Sequence, residues 1–160
     1  MDTPQKKKIS DPKEALAKAE HYCAYQERAQ QEVRDKLYDW GLWPDAVEAT
    51  ISELISAGFL NEERFAKAYA VGKFRQKGWG KIKIKQGLKF KRVPDVLIKK
   101  ALTLIDADAY IDMLTNILAK KAKTTAEKDA FKRSYKLQQY AMGRGYESDI
   151  IADVLKASEL

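Results

Sequence analysis

A single cysteine, Cys23, and a single histidine, His21, leave this 160-residue chain short of material for several kinds of chemistry. One thiol forms no internal disulfide, so packing must hold the fold, and such sparing cysteine usage suits a reducing compartment. Two residues apart on a helix, His21 and Cys23 point in different directions. Without a second histidine or cysteine, neither a metal site of that donor type nor a nucleophilic relay assembles. Long apolar runs are also missing: nothing approaches the roughly 20 residues of a membrane span, and the first residues lack the apolar segment of a signal peptide. The expectation is a cytoplasmic protein with no membrane association. Glycine and proline are scarce, 8 and 4, against 45% hydrophobic and 33% charged residues, a balance that reads as globular and helix-rich.

The most informative absence is local. Between Arg64 and Pro94 there is no aspartate or glutamate, while eleven lysines and arginines fall there. Residues 1–63 carry 8 basic and 13 acidic side chains and residues 95–160 carry 11 and 10, so the net charge of +7 resides in that one stretch. A local field of one sign speaks to partners rather than to fold, and here the partner is anionic.

Helical spacing dominates what is present. Residues 1–10, with Lys6 to Lys8, show no apolar periodicity and are expected to form a flexible basic tail. Asp11-Pro12 then supplies a cap and a first-turn proline for a helix carrying Ala15, Leu16, Ala19, Tyr22 and Cys23. A second helix presents Val33, Leu37 and Trp40 before Gly41 stops it. A third enters through Trp43-Pro44-Asp45 and is expected to bury Ala46, Val47, Ile51, Leu54 and Ile55 before Gly58.

This pattern recurs. Placing Asp45 on Asp95 and Asp149 aligns Ala46-Val47 with Val96-Leu97 and Ile150-Ile151, and Ile51 with Ala101 and Leu155. Val33/Leu37 matches Leu137/Ala141, and matches Ile84/Leu88 if the loop before Pro94 is one residue shorter. Gly41 and Gly145 share a position. In Lys81-Ile82-Lys83-Ile84-Lys85 a period of two argues for a strand, but Ile84 and Leu88 at i,i+4 favour helix. A later stripe of Ala109, Tyr110, Met113, Leu114, Ile117 and Leu118 ends at a polar break over 120–125. A repeat of about fifty residues, each unit too small to bury its own helices, predicts an all-α tandem array of three three-helix units, elongated and curved. The units are 11–59, 60–105 (the basic one) and 106–160.

No constellation for catalysis emerges, and neither a cofactor nor a metal is expected. Glu62 and Glu63 are acids at a helix N-terminus. Gly78-Trp79-Gly80-Lys81 lacks the spacing and the Ser/Thr of a phosphate-binding loop. The basic stretch is the positive finding. With Ile84 and Leu88 facing the core, its cations spread over the remaining faces, and a helix needing only solubility would mix signs. The candidate contacts are Lys73, Arg75, Lys77, Trp79, Lys81, Lys83, Lys85, Lys89, Lys91 and Arg92. Trp79 and Phe90 are positioned among lysines where they can stack on bases, whereas Trp40, Trp43, Tyr69 and Phe74 sit at core-like spacing.

Gly58-Phe59-Leu60-Asn61-Glu62-Glu63-Arg64-Phe65-Ala66-Lys67-Ala68-Tyr69 resembles the [GF]-[LI]-[ND]-[DE]-x-R-[FY]-A-x-x-[YF] junction of the RecX family, in which Arg64, Phe65 and Tyr69 are the motif positions. The segment Gly78-x-Gly80 followed by Ile84 and Leu88 is similar to that family's G-x-G-x-x-x-I-x-x-x-L. Gly87 stands where the family commonly has an acid, and Lys81 where a proline often follows the second glycine. The resemblance implies a non-enzymatic negative regulator of the RecA recombinase. Such a protein, acting as a monomer, would bind the RecA filament on single-stranded DNA and restrain its ATPase and strand exchange in repair and recombination. The residues alone also allow a stand-alone helical module that binds single- or double-stranded DNA through the basic unit.

Overall fold

A computed structural model describes residues 8, 9 and 11–160, and among them there are nine helices and no strand. The first unit holds α1 (Pro12–Tyr25), α2 (Gln30–Asp39) and α3 (Pro44–Ser56). The second holds α4 (Glu62–Lys77), α5 (Lys81–Phe90) and α6 (Asp95–Leu102), and the third α7 (Ala107–Thr124), α8 (Ala130–Gly143) and α9 (Ser148–Ala157). Each unit opens on a capped helix. The side chains of Asp11, Asn61 and Asp106 accept backbone N–H groups of Lys13, Arg64 and Ala109 that the first turn would otherwise leave unpaired. The alternating run from Lys81 is helical: Ile84 and Leu88 are fully buried, and that one stripe outweighs the local period of two.

The three units repeat more closely than their sequences do. After α2, the Gly41 N–H donates to Tyr38 O (2.9 Å) and the Leu42 N–H to Leu37 O (3.1 Å). After α5, Arg92 donates to Lys89 O (2.9 Å) and Val93 to Leu88 O (3.1 Å). After α8, Gly145 donates to Met142 O (3.0 Å) and Tyr146 to Ala141 O (3.2 Å). Each corner is the same left-handed helix stop followed by a buried anchor, Leu42, Val93 or Tyr146. The equivalence corrects the expected alignment of the middle unit by one residue. Val47 corresponds to Ile98 and Ile151, all but fully buried, and Thr50 corresponds to Ala101 and Val154. No loop is shorter. Instead Pro94 is the residue before α6, whereas Pro44 is the first residue of α3. Val96, expected in the core, is therefore 66% exposed. Its slip also hides the odd member of the set: Gly41 and Gly145 have φ of 94° and 97°, while at the matching position Arg92 has φ 60°. A left-handed residue with a Cβ costs about 1 kcal/mol relative to glycine.

Two apolar clusters fill the interior. One belongs to the first unit, built on Val33, Leu37, Val47 and Leu54. The other runs without a break through the second and third units, from Phe65 and Phe74 to Tyr110, Leu118, Leu137 and Tyr146, and reaches back only to Ala29. Of the expected tail, residues 1–7 and 10 lie outside the described residues. Ile9, within it, is buried in the first cluster and its N–H donates to Trp40 O (2.7 Å). Three smaller expectations fail. Ile55 and Trp43 are 44% and 49% exposed. The polar run from Lys120 does not break α7, which continues to Thr124 because Ala122 still lands on its buried face.

Candidate functional site

The junction motif is structural. Arg64 Nε donates to the Glu27 carboxylate (2.5 Å) and its Nη2 to Gly58 O (3.1 Å), so its charge ties the start of α4 to the first unit and to the end of α3. Phe65 is buried, and its ring centroid lies 5.8 Å from that of Tyr69. Tyr69 in turn covers Gly87: a Cβ built there would lie 2.1 Å from the Tyr69 hydroxyl. Gly87 thus allows α4 and α5 to pack closely, and burial raises the Tyr69 phenol above its ordinary pKa.

The ten candidate contacts divide by what they already touch. Trp79 is half-buried, edge-on to Tyr69 (6.5 Å), with the ammonium groups of Lys73 and Lys83 at 5.0 and 4.6 Å from its ring. This tryptophan packs partly against the core, and two cations are held on it by about 0.5–1 kcal/mol each. Lys81 lies 5.0 Å from the Tyr110 ring. Lys91 reaches the Glu32 carboxylate at 3.4 Å in a half-buried pair, and Lys89 the Asp95 carboxylate at 4.0 Å in an exposed one worth little in water. Arg75, Lys77, Lys85 and Arg92 are exposed and make no side-chain hydrogen bond or ion pair among the described residues. Phe90, the other aromatic of the stretch, is 88% exposed.

The third unit adds cations that sequence reading missed. A cleft of about 440 Å³ opens between the end of α4 and the α7/α8 pair, with Arg75 and Lys77 on one side and Lys120, Lys121 and Arg144 on the other; no carboxylate lines it. Its floor is fixed by the unit boundary: Gly80 N–H donates to Arg144 O (2.8 Å), Ile82 N–H to Gly145 O (2.9 Å) and the Tyr146 hydroxyl to Gly78 O (2.9 Å). A Cβ on Gly80 would come within 2.3 Å of the Gly145 backbone, so glycine is needed on both sides of this approach. An Arg144 Nη2 group donates to Lys77 O, while Arg144 Nε is buried with no partner among the described residues. In sequence the acids of the third unit mask its cations, and only the run Lys120-Lys121-Ala122-Lys123 carried a signal. A larger groove of about 600 Å³, lined by Tyr22, Tyr25, Trp40 and their neighbours, is apolar and confined to the first unit, away from the cationic cleft.

Burial, reinforced by the hydrogen bond from Tyr110 to the Glu147 carboxylate, holds the Tyr110 phenol far above its ordinary pKa. Burial likewise pushes Tyr146 up to about 12. Both phenols therefore remain neutral donors at the second boundary. Among the described residues no group of His, Cys, Asp and Glu is placed to hold a metal, and no helix is long and apolar enough to cross a membrane.

Profiles of the first, second and third three-helix domains of RecX match residues 15–54, 61–102 and 108–155. The chain is 30% identical over 146 residues to the regulatory protein RecX of Prosthecochloris aestuarii, covering 91% of this chain and 94% of that one. It is 28% identical over 146 residues to that of Levilactobacillus brevis, where it spans 55% of the relative's length, and several other curated relatives are likewise longer than the matched region. The crystal structure of RecX from Lactobacillus salivarius superposes with a TM-score of 0.84 at 23% identity, over 91% of this chain and 95% of that one. The chain belongs to the RecX family of regulatory proteins.

Proposed function

We propose that the protein is a negative regulator of the RecA recombinase. It binds the RecA filament on single-stranded DNA as a cytoplasmic monomer, and through that binding restrains ATP hydrolysis and strand exchange in DNA repair and recombination. Family membership supports the partner. The observation that carries the mode of binding is the acid-free cationic cleft in which Arg75 and Lys77 face Lys120 and Lys121, with the exposed, unpaired Lys85 elsewhere on the same unit. Its cations come from two units whose spacing is fixed by backbone hydrogen bonds, which suits a repeating anionic surface better than a single small ion. The chemistry required is binding alone, and no residue is assigned a covalent or proton-transfer role.

The test is inhibition of ATP hydrolysis by preformed filaments, at protein concentrations too low to coat the DNA. Reversing Arg75, Lys77 and Lys85 to glutamate, three side chains without internal partners, should weaken inhibition on the order of tenfold or more while leaving helicity intact. Unchanged inhibition would remove the surface from the mechanism. The competing reading, a stand-alone DNA-binding module, is favoured if the protein binds bare DNA as tightly as filaments, with a salt slope near −0.9 per phosphate contacted.

A further inference from the structure

The three corners that follow α2, α5 and α8 make the same hydrogen bonds and turn through the same left-handed residue, yet two of them use glycine and one uses Arg92. Nothing among the described residues accounts for that arginine. It is exposed, and it makes no hydrogen bond, ion pair or ring contact among the described residues. Glycine would satisfy the backbone better, as the other two corners demonstrate. A strained, solvent-facing cation without an internal role points outward, because sparsely populated backbone conformations persist where function demands the side chain.

The surroundings identify what it faces. Within the same corner Phe90 and Val96 are 88% and 66% exposed, among the most exposed large apolar side chains of the protein. Two carboxylates lie close by: Asp95, itself largely exposed, 4.0 Å from Lys89, and Glu32 of α2, 3.4 Å from Lys91. A phosphate backbone gains nothing from valine, and the corner's other two cations, Lys89 and Lys91, are already set against carboxylates, which leaves Arg92 as the one unpaired charge beside the apolar groups among the described residues. Exposed aromatic and aliphatic groups beside an unpaired arginine are instead the residue types that anchor protein interfaces, where a planar guanidinium takes a carboxylate in two parallel hydrogen bonds.

We propose that the corner between α5 and α6 is a protein-docking point, in which Arg92 receives a carboxylate of the partner while Phe90 and Val96 pack against its apolar surface. Resting on the filament-regulator reading above, this assigns the corner to the recombinase itself and leaves the DNA to other cations of the basic surface.

The experiment compares Arg92→Gly, Arg92→Asn and Phe90→Ala with the unaltered protein in three measurements. These are thermal unfolding, affinity for RecA filaments assembled on a single-stranded oligonucleotide, and affinity for the same oligonucleotide bare. Arg92→Gly should raise the melting temperature by about 2–4 °C yet lower filament affinity on the order of tenfold, with oligonucleotide affinity unchanged within about twofold. Arg92→Asn, which tolerates the left-handed backbone without the charge, should lose the same filament affinity. Phe90→Ala should lose filament affinity with no change in melting temperature. Filament affinity untouched by Arg92→Gly overturns the proposal, and so does a parallel fall in oligonucleotide affinity, which would assign the corner to phosphate. If the unaltered protein binds no filament, the parent reading fails first and takes this one with it, an outcome visible before any variant is compared.

Discussion

Where the first unit meets the second, Ala29 alone reaches the neighbouring core and charged side chains supply further contacts: Arg64 with Glu27 at 2.5 Å, Lys91 with Glu32 at 3.4 Å, and the Glu62 carboxylate accepting from the Gln30 N–H at 2.8 Å. Where the second meets the third, backbone meets backbone across Gly80 and Gly145, and Tyr110 packs between Phe74 (5.9 Å) and Tyr146 (4.9 Å) in a core common to both units. Exposed ion pairs are weak and screened by salt, whereas buried aromatic packing and close-approaching backbone leave one geometry. The difference has a functional sense. The cations of the proposed surface, Arg75 and Lys77 with Lys120 and Lys121, lie across the backbone-bonded boundary, while the first unit has its own core.

The rigid boundary breaks most easily at its glycines. Gly80→Ala places a Cβ 2.3 Å from the Gly145 backbone, which cannot yield as a flexible side chain would, so a loss of about 3 kcal/mol or more is expected in denaturant unfolding. Gly145→Ala meets the Lys83 backbone nitrogen at 2.7 Å and must also adopt φ 97°, and should be no milder. Substituting Gly58, whose added Cβ meets nothing, isolates the left-handed penalty alone and should cost about 1 kcal/mol.

Alkali should separate the two junctions next. The Tyr146 and Tyr110 phenols have folded-state pKa values raised above the unfolded value near 10, so deprotonation favours the unfolded form. The stability they contribute is complete below pH 10 and declines as pH rises through about 12. Near-ultraviolet phenolate absorbance followed alongside unfolding should show these two tyrosines ionising with the transition; ionisation ahead of it would contradict their burial. The smallest effect is expected at the first junction. Arg64→Ala should cost at most about 1 kcal/mol, and the difference should shrink at 1 M salt. A loss above about 2 kcal/mol, or one indifferent to salt, would mean that the junction is not electrostatic.

Much of this architecture was legible because helix caps and stripes are local. Asp11, Asn61 and Asp106 announce the three unit starts, and Leu37, Leu88 and Ala141 mark the second helix of each. The register of the middle unit was not, because Pro94-Asp95 imitates Pro44-Asp45 in letters while its proline stands one position earlier in the backbone. That slip concealed Arg92 at a glycine site. The basic surface was legible only in part. A run of lysines declares its charge but not which members are held on an aromatic ring, so Lys73, Lys83 and Trp79 looked as free as Lys85. The partners of Arg75 and Lys77 across the cleft come from α7 and α8, more than 40 residues away, where the acids toward the two ends of the third unit cancel the charge summed over the whole unit.

Lysine footprinting with and without preformed RecA filaments tests the central claim most directly. Binding through the middle and third units predicts that Lys77, Lys85, Lys120 and Lys121 lose reactivity toward an acylating reagent while the exposed Lys13 and Lys156 keep theirs. Protection confined to Lys13 and the rest of the first unit, with Lys85 and Lys121 still reactive, would contradict it.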